Sequence, residues 1–280
     1  MTQKMAELHF SEKENVMKQI LALSLLTISS ASFAVSTPVD LSTWSADTYD
    51  LTGGQSAGNW VLSNSNQTVT QTVNADPSVY LNNLNQTSYS MDGSWQSAGG
   101  DDDFIGFVFG YQNDHQYYVM DWKASGQNAG TEYGTALEGF RILKVDASSR
   151  ASLVLKDFWE SGTSNSTVLA SNLSTSNGWV ANKSYDFHLD FLTTPGDISI
   201  LVKDGSTTLW DVTINDLTYS SGQFGFYNFS QANVQYSGFE QTGGVIVPPN
   251  AVPIPAAAFM FAPALLGFMG LRRKAKKLAA

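Results

Sequence analysis

Residues 101–123 read DDDFIGFVFGYQNDHQYYVMDWK, and this stretch decides the fold. Three adjacent acids lead into an aromatic run over residues 103–111. A polar turn carrying Asn113 and Asp114 follows, and a second apolar run closes the stretch at residues 117–123. Short runs of Phe, Tyr, Val and Ile bounded by Asp, Asn and Gly are strand signals. Working outward, the same signal predicts strands over residues 67–73, 139–145, 152–156, 184–192, 198–204, 209–214, 224–229 and 234–239. The alternation is strictest where Tyr185, Phe187, Leu189 and Phe191 share one face and Asp186, His188 and Asp190 the other. About ten short strands without a strong helical period predict an all-β, two-sheet sandwich of jelly-roll type.

Composition agrees with that class. The 280 residues include 23 Gly and 12% aromatics but no Cys, which excludes disulfides, thiolate metal sites and a Cys nucleophile. Between Val35 and Asn250, 7 basic residues face 22 acidic ones, a formal net charge of −15. So acidic a body repels phosphate backbones, and nucleic acid is not an expected partner. No linker divides residues 35–240, which we read as one domain.

The two ends read differently. Residues 17–34, MKQILALSLLTISSASFA, have a basic start, a short apolar run and small residues before Ala34, the layout of a secretory signal cleaved after Ala34. Signal peptidase is the implied partner. Residues 1–16 precede this signal as an upstream extension, with Met17 the more natural start. After a Gly/Pro tether at residues 241–251, residues 252–277 read VPIPAAAFMFAPALLGFMGLRRKAKK. The apolar part predicts a single short helix that enters the cytoplasmic membrane with its basic end inside.

That ending, with Val252, Pro253, Pro255 and Ala256 at its entry and Arg272 and Arg273 at its close, resembles the PEP-CTERM sorting signal in its VPxPAA variant. The resemblance implies an exosortase-type membrane peptidase as partner, transient anchoring, and release to the cell surface or beyond. Residues 101–123, together with NGWVANKSY at 177–185 and GQFGFYNFSQ at 222–231, resemble the lectin-like C-terminal domain of thrombospondins. The chain departs from the animal members of that family in lacking Cys and in having no Asp-rich repeats ahead of the domain.

Asp101, Asp102 and Asp103 are the foremost candidate site, with Asn113 and Asp114 as companions. Adjacent carboxylates repel one another unless a cation or water intervenes, and calcium accepts about six to eight oxygen ligands. The thrombospondin resemblance also implies calcium. Asp186, His188 and Asp190 read as a solvated strand face. No G-x-S-x-G, H-E-x-x-H or phosphate loop occurs, so the expectation is a non-enzymatic surface or matrix protein. Its expected partner is an extracellular polysaccharide or a surface protein. The alternatives are a secreted carbohydrate-active enzyme on the same fold, or a purely structural matrix protein. Among the tryptophans, Trp122 and Trp179 read as core residues, and Trp95 and Trp159 as an exposed pair on which sugar could stack.

Overall fold

The structure, a computed structural model, describes residues 37–248. Residues 17–34 and 252–277, on which the expected signal, apolar helix and sorting residues fall, lie outside them. The strands in chain order are β1 (Thr37–Pro38), β2 (Ser45–Thr48), β3 (Trp60–Ser63), β4 (Thr68–Gln71), β5 (Ser78–Leu81) and β6 (Gln86–Ser97). They continue with β7 (Phe104–Asn113), β8 (Gln116–Lys123), β9 (Gln127–Asn128), β10 (Thr135–Ala136), β11 (Gly139–Asp146) and β12 (Ser166–Leu173). The last are β13 (Ser184–Phe191), β14 (Asp197–Asp204), β15 (Thr207–Asn215), β16 (Gln223–Phe229) and β17 (Val234–Ile246). One antiparallel sheet runs β15-β14-β13-β6-β17-β4-β3 with β1 beside β17, and the other runs β12-β11-β8-β7-β16-β5-β2. Stacked face to face they form the expected all-β sandwich.

Side-chain alternation explains why the second sheet is buried on both faces. In β7, Ile105, Phe107 and Phe109 point into the core between the sheets, while Phe104 and Val108 enter a second apolar cluster on the opposite face. Tyr111 should follow Phe109 by parity, yet it joins the second cluster. The cause is an irregularity in the β7–β8 register after Phe109, with Gly110 in the left-handed region at φ 55°. There Tyr111 stacks on Tyr117 at 5.2 Å. The cluster is roofed by Tyr49, Leu51 and the segment containing Leu153, Leu155, Phe158 and Trp159.

Residues 152–156 do not form the expected strand. A 3-10 turn (Arg150–Ser152) leads into a short α-helix, Leu155–Trp159. Asp157 accepts from the Val154 N–H at 2.9 Å at the start of this helix, which presses Leu155, Phe158 and Trp159 onto the sheet. Local propensity is overruled here by the need to roof an apolar face.

β17 also runs further than expected. It pairs with β6 as far as Ile246, so residues 241–246 of the supposed tether belong to the sheet. The twelve-residue β6 was missed because QTSYSMDGSWQS reads as a polar loop. Ser90, Asp92, Ser94 and Gln96 alternate with the buried Tyr89, Met91 and Trp95, and Gly93 leaves the space filled by the Phe239 ring, whose nearest atom would stand 2.3 Å from an added Cβ.

Candidate functional site

The acid triplet closes the turn before β7, at one end of the sandwich. One carboxylate oxygen from each of Asp101, Asp102 and Asp103 lies within 4.8 Å of the others. The three acids are not equivalent. Asp103 is buried, and its carboxylate contacts the ammonium of Lys123, a side chain at the end of β8 with no exposure. The same ammonium reaches Asp102 Oδ1 at 3.5 Å and lies 4.6 Å from the centre of the Trp159 ring. Burial pushes the Asp103 carboxyl up, against the pull of Lys123. The Asp101 carboxylate accepts from Asn74 Nδ2 at 2.6 Å and from the Asp102 N–H at 3.0 Å.

Backbone contacts hold the turn in place. The Asp103 N–H donates to Gln231 Oε1 at 3.2 Å, Trp179 Nε1 donates to the Asp103 carbonyl at 2.9 Å, and the Ala124 N–H donates to the Asp102 carbonyl at 3.1 Å. Asp76 lies in a neighbouring loop and accepts from the N–H groups of Gln55 and Leu51 at 2.7 and 3.1 Å. Burial, and after it the charges of Asp76, Glu132 and Asp103, raise the Tyr133 hydroxyl above its usual range. Beneath them, buried Arg141 pairs with Asp121 at 2.7 Å and donates to the carbonyls of Phe158, Trp159 and Glu160.

Asn113 and Asp114 are not part of this site. They occupy the turn at the far end of the ten-residue β7 strand, roughly 30 Å away at the rise of an extended chain. Asp114 instead pairs with Arg150 at 3.2 Å and His115 at 2.8 Å, while Asn113 donates to Gln116 at 3.0 Å. Lys123, Asn74 and Gln231 were missed, since no local pattern distinguishes a lysine that will meet a turn twenty residues earlier.

The expected pair of exposed tryptophans is also corrected. Trp95 and Trp159 are 1% and 2% exposed. Trp95 stacks on Phe187 at 4.8 Å, and Trp159 meets Phe104 edge-on at 5.4 Å. The polar neighbours of Trp95 lie on the other face of β6, which is why its surroundings misled. Trp122 and Trp179 are buried, as expected. Among the described residues the exposed large apolar side chains are Val, Leu and Ile.

The Asp186, His188 and Asp190 face lies on the outer side of the first sheet. His188 bridges Asp92 at 2.7 Å through Nδ1 and Asp190 at 3.2 Å through Nε2. The two carboxylates flank the ring instead of converging on one point, so they do not form a chelating set.

Two packed antiparallel sheets, with the acid turn at one end, define an all-β sandwich domain. Residues 55–243 match the model of the thrombospondin C-terminal region, and the chain belongs to that family. It is 30% identical to thrombospondin-2 of Bos taurus over 186 residues, 64% of this chain and 16% of that protein. It is 29% identical to thrombospondin-4 of Mus musculus over 200 residues, 69% of this chain and 21% of that protein. The chain thus spans a small part of the curated relatives it matches. Among solved structures it is similar to the carbohydrate binding module CBM66 from Bacillus subtilis, with 13% identity, TM-score 0.46, and coverage of 72% of this chain and 96% of that one. It is also similar to lectin II from Ulex europaeus, with 10% identity, TM-score 0.46, and coverage of 72% and 92%.

Proposed function

We propose that this is an exported, non-enzymatic binding protein whose sandwich is stabilised by calcium and holds an extracellular polysaccharide. The observation that carries the reading is the charge balance at the acid turn. Three carboxylates cluster there with one ammonium beside them, and Lys123 contacts the buried Asp103 and more distantly Asp102. Asp101 and Asp102 are left with an excess of oxygen donors facing solvent. An all-oxygen, doubly acidic turn fits a hard divalent cation, and calcium, which accepts irregular oxygen coordination, better than magnesium. Asp101 and Asp102 would hold the ion, while Asp103 acts as the partner of Lys123.

Membership in the thrombospondin C-terminal family supports a binding role. Export rests on residues 17–34 and 252–277, read as a signal and a sorting tail. N-terminal sequencing of the exported protein is expected to begin at Val35, and an intact Met1 or Met17 there would remove the signal from the reading.

The deciding experiment incubates the full chain with purified exopolysaccharide, in calcium and in chelator. Retention in calcium without release of reducing sugar is the expected result. Release of reducing sugar would favour the carbohydrate-active enzyme. Absence of retention in both conditions would leave a surface protein as partner, or a structural role.

A further inference from the structure

We propose that a cleft at the β8–β9 corner is a subsite for one uncharged pyranose ring. The inference rests on the polysaccharide reading and names where, and which sugar, the protein would hold. The cleft encloses about 300 Å³ between Ser125 and Gly126 on one side, Leu137 and Glu138 on a second, and Leu173 with its two following residues on a third. That volume lies at the small end of ligand sites, about 300–1,000 Å³, and suits a single ring better than a length of chain.

The walls are held before any ligand arrives. The Ser174 N–H donates to the Glu138 carbonyl at 3.2 Å, and the Gly178 N–H to Glu138 Oε1 at 3.0 Å. The Asn177 carbonyl accepts from Trp122 Nε1 at 2.5 Å. Gly178 lies so close to Ala124 that an added Cβ would stand 1.9 Å from the Ala124 carbonyl oxygen. Preorganised walls lower the ordering cost of binding.

The chemistry of the lining selects the ligand. Leu137 is 51% exposed at the cleft, an apolar surface that water solvates poorly. Leu173 also lines the cleft, and Ser125, Ser174 and Thr175 are its hydroxyl-bearing residues. An apolar floor with neutral hydroxyls matches a sugar ring, which has a C–H face and an equatorial rim of hydroxyls. The anionic class is disfavoured: Glu138 is the only charged residue of the lining, and the body carries −15. The cleft is also joined to the acid turn. Ser125 and Gly126 follow directly on Lys123 and Ala124, which hold Asp102 and Asp103.

The test uses full-length protein and four probes: the methyl glycosides of glucose, galactose and mannose, and methyl glucuronide. Saturation-transfer NMR is run on the wild type, on Leu137→Asp, and on Val154→Asp, an exposed control position outside the cleft lining. At least one neutral glycoside is expected to bind and the glucuronide to give no transfer. Leu137→Asp should weaken binding at least tenfold with an unchanged melting curve, and Val154→Asp should bind as wild type. Undiminished binding in Leu137→Asp overturns the assignment. So does the failure of all three neutral glycosides while polysaccharide retention persists, an outcome that leaves the broader reading standing. Loss of both retention and glycoside binding overturns the two together.

Discussion

Lys123, at the end of β8, places its ammonium against the carboxylate of Asp103, in the turn just before β7, and both side chains are sealed from solvent. The pair ties the end of β8 to the turn that leads into β7, and the ammonium also faces the rings of Phe104 and Trp159 at 5.2 and 4.6 Å. Removing either partner strands a buried charge, which typically costs about 3–5 kcal/mol. Asp103→Asn and Lys123→Met should therefore each lower stability by that order in urea unfolding. Combining Lys123→Met with Asp103→Leu should recover much of the loss, because no charge is then left unpaired. Single variants as stable as wild type would show that the pair is not buried in solution.

This pairing changes how calcium has to be tested. Asp103→Asn destabilises through Lys123 whether or not an ion is present, so the informative variants are Asp101→Asn and Asp102→Asn. A ligand that binds only the folded state adds about 2.7 kcal/mol at a hundredfold excess over Kd. Wild-type protein should melt several degrees higher in calcium than in chelator or magnesium. The double variant should melt at one temperature in all three. A wild-type melting curve indifferent to calcium would reduce the turn to a solvated acidic loop.

On the outer sheet face, the hydrogen bond to Asp92 is the main cause that lifts His188 to about 9, with Asp190 adding to it. An unfolded histidine titrates near about 6.5. The imidazolium therefore stabilises the fold fully below about pH 6.5, and its contribution fades as pH rises through about 9. Stability measured from pH 6 to 10 should fall across that window in wild type and much less in His188→Gln. Identical profiles would show that the ion pairs are solvated and contribute nothing.

Asp216 works in the opposite sense. Its carboxylate accepts from Tyr118 at 2.5 Å and Lys144 at 2.9 Å, tying the segment after β15 to the second sheet. Burial opposes its ionisation, but the hydrogen bonds from Tyr118, Lys144 and Thr218 outweigh burial and hold the carboxyl well below the usual range. The stabilisation is present above about pH 3.9, the unfolded value, and is lost as pH falls below it. Asp216→Asn should lower the neutral-pH melting temperature and flatten the acid limb of the stability curve. An unchanged acid limb would assign acid unfolding to other carboxylates.

Much of the molecule was legible in the residues themselves. The period-two alternation of Tyr185, Phe187, Leu189 and Phe191 predicted a half-buried strand, and β13 buries that face. The aromatic runs on either side of the Asn113 turn are the paired strands β7 and β8. These are local properties, because successive side chains must point to opposite faces of any strand. Three adjacent acids were equally visible as a place where charge needs a partner. Only the tertiary structure could say which partner. Lys123 meets Asp103 because the register sets Phe104 opposite Lys123, whereas Asn113 and Asp114 are carried to the other end of the same hairpin. Trp95 and Trp159 were misread because burial depends on which sheet or roof covers a face, and polar neighbours in sequence lie on the opposite face. Residues 152–156 became a turn and a helix because the second apolar face of the sheet required a cover. Alternation is written into neighbouring residues; register, layer stacking and the meeting of distant loops are fixed only when the whole chain packs.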